Sequence, residues 1–94
     1  MKKILLVGYD YTYEMDVMKK YDDVLFVAAR NIEDDISPQR IIAVVEMFDA
    51  ILLIGGQSRL TYEIAAIMLG KEILTDKDYP VEKESEGDED GKSV

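Results

Sequence analysis

Cysteine and histidine are both missing from these 94 residues. No disulfide framework, Cys/His zinc site, thiol nucleophile or Ser-His-Asp triad can therefore form. Acid–base work falls to Asp, Glu, Lys or Tyr, and neither a metal nor a cofactor is expected. Lack of cysteine also fits a reducing compartment. Basic side chains are few, with 11 Lys and Arg against 20 Asp and Glu for a net charge of −9. No basic stripe is present, which argues against a nucleic-acid partner. A small nucleotide remains compatible, because amides at a helix start can hold one phosphate. Long apolar runs are missing too. The start, MKKILLVGYD, has two lysines and then only four apolar residues before Gly8, short of the roughly 7–15 of a secretory signal and the ~18 of a membrane span. The expectation is a cytoplasmic protein with no membrane partner. Hairpin signals such as Asn-Gly are also absent, which disfavours a ferredoxin-like fold.

What is present is alternation. Ile4 to Val7 is an all-apolar run suited to a strand buried on both faces. Tyr11, Met15 and Met18 follow at helical spacing, with Glu14, Asp16, Lys19 and Lys20 between them, predicting a helix over 11–20. Val24 to Ala28 reads as a second strand, and the stretch from Asn31 to Ile36 as a polar loop in which Asp34 and Asp35 are surface charge. Ser37-Pro38 caps and opens a second helix, whose inward face is Ile41, Val44, Val45 and Phe48. The third strand is Ala50 to Ile54. A third helix runs from about Ser58 to Leu69 with Leu60, Ile64, Ile67 and Met68 as its apolar stripe, and Gly70 terminates it. Glu72 to Leu74 is a short fourth strand. Connections too long for hairpins imply a parallel sheet with helices on both faces. The fold class is α/β: a small flavodoxin-like three-layer sandwich with a four-stranded parallel sheet in the order 2-1-3-4.

Ninety-four residues make one domain. Residues 1–80 carry 9 basic and 14 acidic side chains (−5), and residues 81–94 carry 2 and 6 (−4). The last segment, from Glu82 EKESEGDEDGKSV, is apolar only at its final position and reads as an acidic disordered tail. A core this small also favours association with copies of itself.

Ligands of open α/β sheets bind at the carboxyl edge where strand order reverses. In the order 2-1-3-4 two loops meet there: Gly8-Tyr9-Asp10-Tyr11-Thr12-Tyr13 and Gly55-Gly56-Gln57-Ser58-Arg59. Gly8, Gly55 and Gly56 either let a backbone approach a ligand or simply form tight turns; neither GxGxxG nor GxxxxGK[ST] is complete. Ser58 caps the third helix and can also hold a phosphate or sugar hydroxyl. Arg59 pairs with a phosphate or is an exposed first-turn charge. Of Tyr9, Tyr11 and Tyr13, alternate rings can stack on a base, with Tyr11 the one best suited to packing instead. Asp10 is either a second working carboxylate or a solvated turn residue. Glu63, in the second turn of the third helix, is the main candidate: a nucleophile toward an anomeric carbon, or an ordinary acid near a positive helix end. Asp49 lies at the opposite edge and reads as a structural turn residue.

Along FDAILLIGGQSRLTYEIAAIMLGKEIL the chain resembles the nucleoside 2-deoxyribosyltransferase superfamily, especially its short phage and bacterial members. Nucleotide N-glycosidases belong to the same group. The shared pattern is an Asp-led apolar strand, a small loop with Ser, a Glu in the next helix, then Gly-Lys and a strand. The resemblance implies that Glu63 is the nucleophilic glutamate and Ser58 the phosphate- or sugar-contacting serine, and that Gly8 and Tyr9 border the substrate. The match covers about residues 48–75. Arg59-Leu60 follow Ser58 where the family has Gly, the Ser-to-Glu spacing is one residue shorter, and the Asp that many transferases carry before the third strand is absent. MKKILLVGYD also resembles a response-regulator start, but Gly55-Gly56 stand where the phosphorylated Asp would be. A sugar-phosphotransferase B component begins similarly but needs a cysteine. The lysine-decarboxylase-like nucleotide-binding group shares a GG…E pattern.

The resemblance implies an enzyme acting on the N-glycosidic bond of a nucleoside or nucleotide, by hydrolysis or transfer, with Glu63 as nucleophile and Asp10 as second acid. The alternative is a module of the same fold that binds a nucleotide-like ligand without catalysis, a reading favoured by the altered turn after Ser58.

Overall fold

The computed structural model describes residues 1–31, 37–57 and 59–81. Ser58, the stretch 32–36 with Asp34 and Asp35, and the tail from Glu82 lie outside the described residues. The elements are β1 (Lys2–Val7), α1 (Tyr11–Lys20), β2 (Val24–Ala28), a 3-10 turn (Ala29–Asn31), α2 (Pro38–Glu46), β3 (Ala50–Leu53), a second 3-10 turn (Ile54–Gly56), α3 (Leu60–Leu69) and β4 (Glu72–Thr75). All strand pairs are parallel and the order is β2-β1-β3-β4. The molecule is an α/β sandwich with helices on both faces of the sheet, the architecture expected from the alternation.

β1 and β3 form the middle, and their side chains alternate between two cores. Leu5, Val7 and Ile51 point to α2 and α3, meeting Ile41, Val45, Phe48, Tyr62, Ala65 and Ala66. Ile4, Leu6, Ala50 and Leu52 point the other way, to Tyr13 and Val17 of α1, Phe26 and Leu74. Ile4, Leu5, Leu6 and Val7 are wholly buried, each contributing roughly 1.5–3 kcal/mol. Asp49 ties β1 to the entry of β3: its carboxylate accepts the Lys3 N–H at 2.8 Å and its own N–H donates to the Lys3 carbonyl at 2.8 Å. It is a structural residue, as its place before β3 suggested.

Ser37 caps α2, its hydroxyl accepting the Arg40 N–H, with Pro38 next. The inward face of α2 is the expected one. The faces of α1 and α3 differ from expectation. In α1 the buried side chains are Tyr13, Glu14 and Val17, while Tyr11, Met15 and Met18 point outward. Glu14 enters because Arg30, beyond β2, meets its carboxylate with Nη2 2.8 Å from Oε1 and Nε 3.2 Å from each oxygen. In α3, Tyr62, Ala65 and Ala66 face the sheet and α2, and Leu60, Ile64, Ile67 and Met68 are exposed. Small alanines let the helix lie close to its neighbours, and the bulky side chains are left outside.

The last described segment completes the α1 face. After β4 the chain turns at Asp78, whose carboxylate accepts the Thr75 N–H at 2.9 Å, and returns along α1. Tyr79 packs edge-on against Tyr21 and Phe26, with ring centroids 5.0 and 5.5 Å apart. Its carbonyl accepts the Tyr13 hydroxyl at 2.8 Å, and the Pro80 carbonyl accepts the Tyr21 hydroxyl at 2.8 Å. Among the described residues no helix is long and apolar enough to cross a membrane.

Candidate functional site

The pairing of β1 with β3 brings the loops after both strands to the carboxyl edge. β3 ends one residue earlier than expected, because Ile54 already belongs to the 3-10 turn with Gly55 and Gly56. Gly55 and Gly56 have φ of 59° and 73° and are exposed. Gly8 has φ 123°, and a Cβ there would stand 3.2 Å from the Ile54 Cβ and 3.3 Å from the Gln57 Oε1. Glycine is therefore required at position 8 both by conformation and by the approach of the second loop.

Gln57 joins the two loops. Its Oε1 accepts the Tyr9 N–H at 3.0 Å and its Nε2 donates to the Tyr9 carbonyl at 3.2 Å. One side-chain amide thus pairs with both polar groups of one backbone residue. A third loop joins them, for the Asp76 carboxylate accepts the Gly55 N–H at 3.1 Å. Neither Gln57 nor Asp76 was singled out in the sequence. Gln57 follows a glycine pair in a stretch that reads as plain turn, and Asp76 is placed only by the pairing of β4 with β3.

Each nominated residue has a defined place. Tyr9 is exposed, with the Arg59 guanidinium 5.7 Å from its ring centroid and Arg59 Nη1 3.4 Å from its hydroxyl. Arg59 also lies 5.6 Å from the ring of the buried Tyr62. Arg59 holds the N-cap position of α3, with no side-chain cap of its own. Glu63 consequently falls in the first turn instead of the second. Half-buried, it reaches back so that Oε2 accepts the Arg59 N–H at 3.1 Å, as in half of a capping box. Asp10 is the N-cap of α1, its Oδ1 accepting the Tyr13 N–H at 3.1 Å.

The three tyrosines of the first loop separate. Tyr9 stands at the edge, Tyr11 is exposed under the Arg30 guanidinium at 4.5 Å, and Tyr13 is the one that packs inward, not Tyr11. Burial pushes the Tyr13 phenol well above its ordinary range, and the charges of Asp76 and Asp78 add to the effect. Hydrogen bonding to Glu14 holds the Arg30 guanidinium's pKa above its ordinary value. Among the described residues no cluster of three or more acidic side chains is arranged to hold a metal ion. Gly8, Tyr9, Asp10, Gly55, Gly56 and Arg59 thus share one edge, with Glu63 just behind it on α3.

Comparison with protein-family models, with curated proteins and with solved structures found no match.

Proposed function

We propose that this chain binds a nucleoside-like ligand at the carboxyl edge of its sheet without transforming it. The observation that carries this reading is the exposed Tyr9 ring, standing beside Arg59 and two exposed glycines on a loop whose backbone Gln57 clamps. An exposed ring is a stacking platform for a base, and glycine backbone lets a sugar approach closely. Charge narrows the ligand. Asp10, Glu63 and Asp76 stand against Arg59 at this edge, and the whole chain carries −9. Such a field admits a nucleoside or a monophosphate and repels a polyphosphate. Both carboxylates of the catalytic expectation accept N–H groups at helix starts, a structural employment.

Calorimetric titration with deoxynucleosides and their monophosphates tests this. Saturable binding is expected, weakened about tenfold by Tyr9→Ala, within the ~1–3 kcal/mol of a base–aromatic stack. Absence of binding by every nucleoside and monophosphate sinks it.

A second reading rests on Glu63, a half-buried carboxylate beside Arg59 at the same edge. In it Glu63 attacks C1′, the C1′–N bond breaks, the base leaves with a proton from an acid, and water or a second base releases the sugar. Base release by the unaltered chain, lost in Glu63→Gln, would replace the binding reading with this one.

A further inference from the structure

We propose that the outward face of α3, with the groove between α3 and α2, is the interface of a two-fold dimer of this chain. The ten residues of α3, LTYEIAAIML, include a single charge, Glu63 in the first turn. Tyr62, Ala65 and Ala66 are buried against the domain, yet Leu60, Ile64, Ile67 and Met68 on the other side are 66, 47, 68 and 66 % exposed. A helix that is apolar all round belongs in a core on all sides, and the described residues cover only one side. Beside it runs an open groove of about 300 Å³ lined by Pro38, Ile42, Thr61, Ile64, Ala65 and Met68.

A second copy is the occupant that fits. Those four exposed residues present roughly 450 Å² of surface, within the range of the largest patch on a monomer, which is often functional. Pro38, Ile42 and Thr61 extend the patch, so two copies face to face reach the ~1,200 Å² at which specific interfaces begin. The chain's own tail is a poor cover, since EKESEGDEDGKSV has no apolar residue before Val94. Charge points the same way. Two copies each carrying −9 repel, and an uncharged face is where they approach at least electrostatic cost. A face without charge also gives a partner of opposite sign nothing to pair with. Across a two-fold axis the same patch meets itself, so an apolar stripe is self-complementary, with Ile64 near its middle.

Sedimentation equilibrium of the full chain, with a set of single substitutions, tests this. The expected mass is twice the 10.7 kDa of one copy, and Ile67→Glu halves it while far-UV circular dichroism stays the same. Because the chain lacks cysteine, Ile64→Cys reports contact directly: on oxidation it links two copies, whereas Met15→Cys on exposed α1 does not. The cysteine pair decides the matter even if Ile67→Glu fails to fold. A single-copy mass at every concentration overturns the proposal. Persistence of the dimer in a folded Ile67→Glu chain, or equal linking by Met15→Cys, overturns it as well.

Discussion

Gln57 organises the carboxyl edge with one side chain. A primary amide offers an acceptor and a donor side by side, and the Tyr9 backbone offers the matching donor and acceptor. The geometry therefore selects glutamine over its charged isostere. In Gln57→Glu the oxygen that replaces Nε2 would face the Tyr9 carbonyl, acceptor against acceptor, unless it were protonated. Gln57→Ala should cost about 1 kcal/mol, the low end for two solvent-exposed neutral hydrogen bonds. Gln57→Glu should cost more than that at neutral pH and recover part of the loss in acid, where the carboxyl regains a donor. Urea unfolding at two pH values checks the ordering. A Gln57→Glu chain as stable as the parent at neutral pH would mean that the clamp contributes nothing.

At the scale of elements, α1 and α3 show what periodicity can and cannot tell. Every strand lies within two residues of its expected limits, because short apolar runs ended by glycine or by acidic residues have few other uses in an alternating chain. The inward face of α2 was equally legible, since Ile41 and Val45 recur at helical spacing and Phe48 continues their line just past the helix. α3 offers two apolar faces, and the bulkier one suggests the core. Packing against a sheet and a neighbouring helix instead selects the flatter face of Ala65 and Ala66. α1 hides its inward face differently. Glu14 reads as solvated until Arg30 folds over it, and nothing local announces a partner 16 residues away. The candidate site was legible as a pair of converging loops, but its clamp was not, because hydrogen bonds between Gln57 and Tyr9 depend on side-chain reach rather than spacing. The alanine face makes a sharp test. Ala66 is wholly buried, so Ala66→Leu should cost ~1–3 kcal/mol by overpacking, while Met15→Leu, on the exposed face of α1, should leave stability within about 0.5 kcal/mol. Thermal unfolding of the two variants gives the answer, and equal effects would mean that the inward face has been misassigned.

At the scale of the whole molecule, the sheet has two helices on one face and a single helix plus an extended arm on the other. The arm, Asp76 to Val81, is held by the edge-on stack of Tyr79 and by hydroxyl bonds from Tyr13 and Tyr21. Tyr13 makes this attachment sensitive to alkali. Its hydroxyl is a donor only while protonated, and burial together with Asp76 and Asp78 raises its pKa above the 10.0 of a free phenol. A raised phenol favours folding in its neutral form. Its contribution is complete below the unfolded value near 10 and is lost as pH climbs through the higher folded value. The stability of the unaltered chain should therefore fall as pH rises past about 10. Tyr13→Phe should lose ~1 kcal/mol at neutral pH for the missing hydrogen bond and then show a shallower alkaline decline. Denaturant unfolding between neutral pH and the alkaline limit, read on both chains, checks the two slopes. If the slopes run parallel, the Tyr13 proton plays no part in holding the arm, and the α1 face is closed by the packing of Tyr79 and the Tyr21 hydroxyl bond to Pro80.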